Sequence, residues 1–79
     1  MTWNYRVVRR VYPGADEEFY VHEVYYTASR VAHARSELPS APCGDTPEEL
    51  RADLERMLKA FEKPVLEFDD PCWGGPVKP

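Results

Sequence analysis

The sequence predicts a small α+β fold: an antiparallel sheet of three or four strands packed by one main α-helix, in the order β-β-β-α. Polar and apolar residues alternate through residues 3–27, and an apolar stripe of helical period runs through residues 50–61. The chain has 79 residues, enough for one domain only. A short run at residues 65–68 offers a last strand. We therefore predict a single α+β domain over residues 1–68 and a C-terminal tail over residues 69–79.

The first third of the chain predicts a β-hairpin. Residues 3–12 read WNYRVVRRVY, and their β-branched and aromatic members recur with period two, which indicates a strand. Pro13 and Gly14 then supply turn residues, and residues 18–27 form the second strand. Residues 30–36 predict a weaker third strand, which we place at an edge of the sheet.

The helix is the most clearly marked element. It follows a proline-rich loop, ELPSAPCG, and Pro64 ends it. Thr46 is the predicted N-cap, Pro47 occupies the first helical position and Glu49 completes a capping box. Five apolar residues form one stripe, which we expect to cover the sheet: Leu50, Leu54, Met57, Leu58 and Phe61.

Both sides of the hairpin carry large apolar groups, whereas one helix covers only one side. The inner side of the first strand holds Trp3, Tyr5, Val7 and Val11. In the second strand we favour burial of His22 over burial of Glu23, because a neutral histidine is cheaper to bury than an unpartnered carboxylate. This choice turns three more residues inward: Tyr20, Val24 and Tyr26. A shift of the register by one residue would reverse it.

The outer side of the hairpin then gathers six residues: Arg6, Val8, Arg10, Phe19, Val21 and Tyr25. Aromatic groups beside arginines are typical of protein interfaces. We therefore predict that this side binds a partner or a second copy, and the choice between monomer and homodimer stays open. The alternative is that residues 64–73 fold back over this side, with Trp73 as the plug.

The excess negative charge lies in the C-terminal half. The chain carries a net charge of −4, and residues 36–79 hold ten acidic and five basic side chains. This balance disfavours direct binding of nucleic acid, which requires clustered cations. It favours a basic protein partner. The predicted contact residues form the acidic face of the helix: Glu48, Glu49, Asp53 and Glu55.

Nothing in the sequence indicates catalysis or a cofactor. His22 and Glu23 are neighbours in a strand and point to opposite sides, so they cannot act as a dyad. Cys43 and Cys72 lie in Pro/Gly-rich stretches outside any C-x-x-C pair, which argues against a zinc site. We expect free thiols that can link two copies through an intermolecular disulfide. No apolar run is long enough for a membrane span, so we expect a cytoplasmic protein of a bacterial cell.

Four segments together carry a resemblance: WNYRVV, VHEVYYT, PSAPCGDTPEELRADLERML and KPVL. They are similar to short bacterial and phage-associated proteins of β-β-β-α form, and the chain most resembles small anti-CRISPR proteins that inhibit type I-C systems. The resemblance implies a non-enzymatic inhibitor that binds the CRISPR surveillance complex and blocks recognition of target DNA. It implies no active-site residues. Two alternatives stay open: an antitoxin-like or housekeeping interaction module, and a small binder of single-stranded nucleic acid that uses Arg6 and Arg10.

Overall fold

The computed structural model describes residues 2–14, 16–71 and 73, and it confirms the predicted α+β class. In these ranges one four-stranded sheet is combined with one α-helix that continues into a 3₁₀ turn. The elements are β1 (Thr2–Val11), β2 (Glu17–Tyr26), β3 (Ala32–Arg35), α1 (Pro47–Leu58), the 3₁₀ turn (Lys59–Glu62) and β4 (Leu66–Glu67).

The sheet has the strand order β3-β2-β1-β4. The hairpin strands β1 and β2 pair antiparallel along their whole length, and the turn between them includes Gly14 at φ 65°, a conformation that glycine adopts without strain. β3 pairs antiparallel with the end of β2, with an irregularity between Tyr25 and Tyr26. β4 lies on the other side of β1 and runs parallel to it, after the chain has crossed over through α1.

The register of the hairpin corrects the predicted face assignment. Val8 lies opposite Tyr20, and Arg6 lies opposite His22. Directly paired residues share a face of the sheet, so β1 residues of even number lie with β2 residues of even number. The face predicted to combine Arg6, Val8 and Arg10 with Phe19, Val21 and Tyr25 therefore does not exist, because these two sets lie on opposite faces.

Both faces of the hairpin receive cover. On the face of Tyr5 and Val7, the Tyr5 phenol contacts Asp53 of α1. On the face of Val8 and His22, the ring of Phe68 lies 5.8 Å from the His22 ring, measured between centroids. The buried apolar residues therefore come from both layers and from the segment after β4: Val7, Val8, Val24, Met57, Ala60 and Phe68.

The segment after β4 folds back over the sheet, but Phe68 and not Trp73 is its plug. Phe68 is 9% exposed, and its backbone N–H donates to the carbonyl of Arg9. Trp73 is half-buried, and its indole N–H donates to the Glu67 carbonyl within the same segment. The predicted domain boundary at residue 68 thus falls directly after a core residue.

Candidate protein-binding surface

The helix begins as the sequence predicts. The Oγ1 of Thr46 accepts the backbone N–H of Glu49 at 3.1 Å, and Pro47 follows at the first helical position. The Glu49 carboxylate reaches back to the backbone N–H of Asp45 at 3.0 Å, one residue before the Thr46 N–H that the predicted capping box uses. Two backbone donors at the start of α1 are thereby satisfied, which sets the point at which the helix begins.

The side of α1 that faces the sheet is not the predicted stripe. It is formed by Asp53 and Met57, and Ala60 continues it into the 3₁₀ turn. Of the five residues predicted to cover the sheet, only Met57 is buried. That expectation was wrong for the other four, because the helix is rotated so that a carboxylate points inward.

Asp53 is the reason for this rotation. Its carboxylate accepts hydrogen bonds from the Tyr5 hydroxyl at 2.8 Å, from the Cys43 backbone N–H at 3.0 Å and from Arg56 at 3.0 Å. These bonds lower the pKa of Asp53 below its ordinary value, and the bond from Tyr5 has the largest effect. Asp53 was predicted to belong to the solvated acidic face, and at 3% exposure it does not.

The rotation leaves an apolar stripe in solvent. Its members are 38%, 48%, 67% and 68% exposed, in the order Leu50, Leu54, Leu58 and Phe61. The three leucines are spaced by four residues, so they lie on one side of α1. We call these four residues the apolar stripe. A contiguous exposed apolar surface of this kind marks an interaction site more often than idle surface.

Charged residues border the apolar stripe with opposite signs at its two ends. Asp45, Glu48 and Glu49 are exposed at the start of α1, beside Leu50, and we call them the acidic end. At the middle, Arg51 and Glu55 form an exposed ion pair at 3.5 Å. Exposed lysines, Lys59 and Lys63, follow toward the other end. Three of the four predicted acidic contact residues thus stand beside an apolar surface: Glu48, Glu49 and Glu55.

The predicted hairpin surface is divided by the register. Phe19 is 55% exposed, and Val21 and Tyr25 on the same face are half-buried, with the Tyr25 hydroxyl donating to Glu23. On the opposite face, Arg6 and Val8 are buried. Arg10 is half-buried there and lies over the rings of Tyr12 and Phe68. Of the six predicted residues, Phe19 alone is an exposed apolar side chain, and elsewhere in the hairpin Trp3 and Val11 are each 48% exposed.

His22 is buried and hydrogen-bonded to Ser36. The Nδ1–H of His22 donates to the Ser36 carbonyl at 3.1 Å, which leaves Nε2 unprotonated and, among the described residues, without a partner. Burial lowers the pKa of His22, so the ring is neutral near pH 7. Within the described ranges, no group of three His, Cys, Asp or Glu side chains could hold a metal ion.

Cys43 is exposed and carries a free thiol, while Cys72 lies outside the described residues. The intermolecular disulfide between copies therefore stays a prediction. In the part of the chain that is described, no helix has the length and the apolar character needed to cross a bilayer.

The composition of the helix indicates that part of its apolar surface is exposed, although the apolar period alone does not show which residues are buried. Apolar residues and Asp53 together occupy more of the helix circumference than one packing contact covers, so some of them must stay in solvent. Which of them are buried depends on Tyr5, 48 positions away in the sequence.

Comparison with protein-family models, with curated proteins and with solved structures gave no match to this chain.

Proposed function

We propose that this chain is a non-enzymatic protein-binding module that docks through the apolar stripe and the acidic end of α1. The exposure of Leu54, Leu58 and Phe61 on a single helical side carries the proposal. Amphipathic helices bind partners through anchors with this spacing. Full burial of a leucine side chain contributes roughly 1.5–3 kcal/mol, so even the exposed part of four such groups supports measurable affinity.

The partner that fits this surface is a protein with basic residues beside an apolar groove. Glu48 and Glu49 are exposed in the same turn of α1 as Leu50, where they attract cations during encounter. The net charge of −4 adds long-range attraction to a basic surface. Proteins that bind nucleic acid display such surfaces, because they contact phosphates with lysine and arginine.

The finer form of the proposal is an inhibitor of a type I CRISPR surveillance complex. The resemblance of four sequence segments to small anti-CRISPR proteins motivates it, and the chemistry of α1 is compatible with it. Carboxylates of the acidic end would occupy basic residues that otherwise contact target DNA, while the apolar stripe would supply the contact area. Inhibition would then be steric and electrostatic, with no chemical step.

The experiment is capture of a purified type I-C surveillance complex by the immobilised chain, followed by target-DNA binding in its presence. Leu58→Ser should weaken capture about tenfold or more, as expected for a central apolar anchor. The matched control is Leu38→Ser, since Leu38 is 76% exposed in a loop outside α1. Equal capture by both variants would overturn docking through the apolar stripe.

A second pair of variants tests the charges. Glu48→Lys should weaken capture and flatten the loss of binding with salt, because an attraction that salt screens has been removed, whereas Asp16→Lys, the same charge change on an exposed residue of the hairpin turn, should do neither. Sedimentation of the free chain tests whether a second copy of the chain, and not a different protein, occupies the apolar stripe. A dimer that Leu58→Ser converts to a monomer, with capture unchanged, would assign the stripe to a second copy and exclude the partner proposed here.

The alternative of a single-stranded nucleic-acid binder receives less support from the geometry. It needs cations beside exposed aromatic rings. Arg6 is buried, and Arg10 already lies over the buried ring of Phe68. Salt-dependent oligonucleotide binding that is lost on Arg10→Gln would favour this alternative over the protein-binding module.

A further inference from the structure

A cationic cleft lies at the end of the hairpin away from its turn. It has a volume of about 370 Å³ and is lined by Thr2, Asn4, Arg6, Tyr26, Arg30 and Lys63. The lining includes three cations and no carboxylate, although acidic residues outnumber basic ones in the whole chain. Ligand pockets begin at about 300 Å³, so the cleft can take a group larger than a single ion.

Arg6 is a buried cation that has no carboxylate partner among the residues that the structure describes. It is 8% exposed, and its terminal nitrogens donate to the Tyr26 hydroxyl at 2.9 Å and to the Pro64 carbonyl at 2.7 Å. Its Nε is buried and, among the described residues, has no hydrogen-bond acceptor. A buried charge that is only partly hydrogen-bonded carries an unfavourable desolvation energy, which a bound anion would offset.

Among the neutral residues of the cleft, Asn4 is held so that its amide can donate. Tyr26 uses its hydroxyl hydrogen on the Oδ1 of Asn4, at 2.8 Å, while its oxygen accepts from Arg6. This bond fixes the orientation of the Asn4 amide, since its oxygen is engaged and its NH₂ group is left to donate. Hydrogen-bond donors beside cations suit an oxyanion, which only accepts.

Arg30 occupies a backbone conformation that its residue type disfavours. Its φ is 64°, and it is the only residue other than glycine with positive φ in the described ranges. Its N–H closes a turn onto the Thr27 carbonyl at 2.8 Å. Glycine fits such a position without strain, so an arginine here indicates a use for its side chain. That side chain lines the cleft.

We propose that this cleft binds a phosphate monoester, with Arg6, Arg30 and Lys63 as its charged contacts. A phosphate monoester carries a charge of about −1.5 to −2 near pH 7, which matches several cations better than one carboxylate does. In the described part of the chain, neither Arg30 nor Lys63 makes an ion pair, so both charges are available. The site is separate from the apolar stripe, and its occupancy does not depend on the protein-binding role proposed above.

The test is calorimetric titration of the whole chain with inorganic phosphate, with adenosine monophosphate and with adenosine. Saturable binding of both phosphates without binding of adenosine is the expected result. Binding of the nucleotide alone would still assign the site to a phosphate monoester, and binding of adenosine would overturn the proposal. The proposal would be overturned as well if neither inorganic phosphate nor adenosine monophosphate bound saturably at low salt.

Variants then locate the site. Arg30→Gly and Lys63→Gln should each weaken phosphate binding about tenfold, because each removes one charge-assisted contact. Arg30→Gly should also keep or raise the melting temperature, since glycine relieves the positive φ. The control Arg51→Gln removes the same charge from an exposed position on α1 and should leave the affinity unchanged. Equal weakening of phosphate binding by all three variants would show that the affinity depends only on net charge, and it would overturn the site.

Discussion

The hydroxyl of Tyr5 donates to the carboxylate of Asp53 at 2.8 Å, and this bond joins β1 to the inner side of α1. The same carboxylate holds the loop before the helix through the backbone N–H of Cys43. Three parts of the chain therefore meet at one buried acid. The hydrogen bonds to Asp53 hold α1 in its rotation, and this rotation leaves Leu54 and Leu58 exposed.

Tyr5→Phe should lower the free energy of unfolding by about 1.5 kcal/mol, because it removes a hydrogen bond to a charged acceptor and keeps the ring. Urea denaturation followed by circular dichroism measures this change. Tyr25→Phe is the control, since its hydroxyl contacts Glu23 two residues away in the same strand and joins no separate elements. Equal losses in the two variants would show that the Tyr5 bond does not tie α1 to the sheet.

Ionisation of Tyr5 itself gives an independent readout. Burial, together with the bond to Asp53, raises the pKa of Tyr5 to about 12 from an ordinary value near 10. Because the folded-state pKa is the higher one, this contribution to stability is complete below pH 10 and is lost as the pH rises toward 12. Bonds to Glu18 and Glu23 also raise the pKa values of Tyr20 and Tyr25, so the ultraviolet absorbance of tyrosinate should show several late-titrating groups, with one fewer in Tyr5→Phe.

The relative burial of Met57 and Leu58 tests the rotation of the helix directly. Met57→Ala should destabilise the fold by about 2–3 kcal/mol, because Met57 is 7% exposed. Leu58→Ala, at 67% exposure, should change the stability by less than about 0.5 kcal/mol. The two residues are neighbours in α1, so a comparison of the denaturation midpoints of the two variants isolates the effect of burial. A larger loss for Leu58→Ala would contradict the observed rotation.

Phe68 should be the most sensitive residue after β4. Its ring lies 3.4 Å from the guanidinium carbon of Arg35 and 4.1 Å from that of Arg10, measured to the ring centroid. Phe68→Ala removes these cation–π contacts and the ring packed against His22, with an expected loss of about 3–4 kcal/mol. Trp73→Ala should cost much less, since Trp73 is only half-buried. Thermal melting of the two variants checks this order.

Acid should destabilise the fold through His22. Burial lowers the folded-state pKa of His22, and the nearby charges of Arg35 and Arg10 lower it further, against the opposing bond to Ser36. The unfolded chain, with an ordinary pKa near 6.5, therefore binds the proton more readily. Stability should be complete above pH 6.5 and should fall as the pH drops below it.

Urea midpoints at pH 7.5 and pH 5.5 measure this effect. Nuclear magnetic resonance of the two imidazoles in the wild-type chain gives a second readout that needs no variant. An unshifted titration of His22 near pH 6.5 in the folded state would contradict its burial as a neutral ring.

The local elements were predictable because their signals are local. Alternation over β1 and β2 and the cap at Thr46 depend on residues a few positions apart. His22 is buried as predicted, but the faces of the two strands were combined wrongly, because the register places His22 opposite Arg6 and not on the face of Tyr5 and Val7. In the fold, His22 is buried under Phe68, and Glu23 lies on the other face with Tyr25.

The sequence by itself determined the α+β class, the order of the elements and the start of α1, because periodicity and capping act within one turn or one strand. Only the tertiary structure decided which side of α1 faces the sheet and which side is left for a partner. The physical reason is that Tyr5 and Asp53 are 48 positions apart in the chain, and a buried carboxylate takes its orientation from whichever donors the fold brings to it.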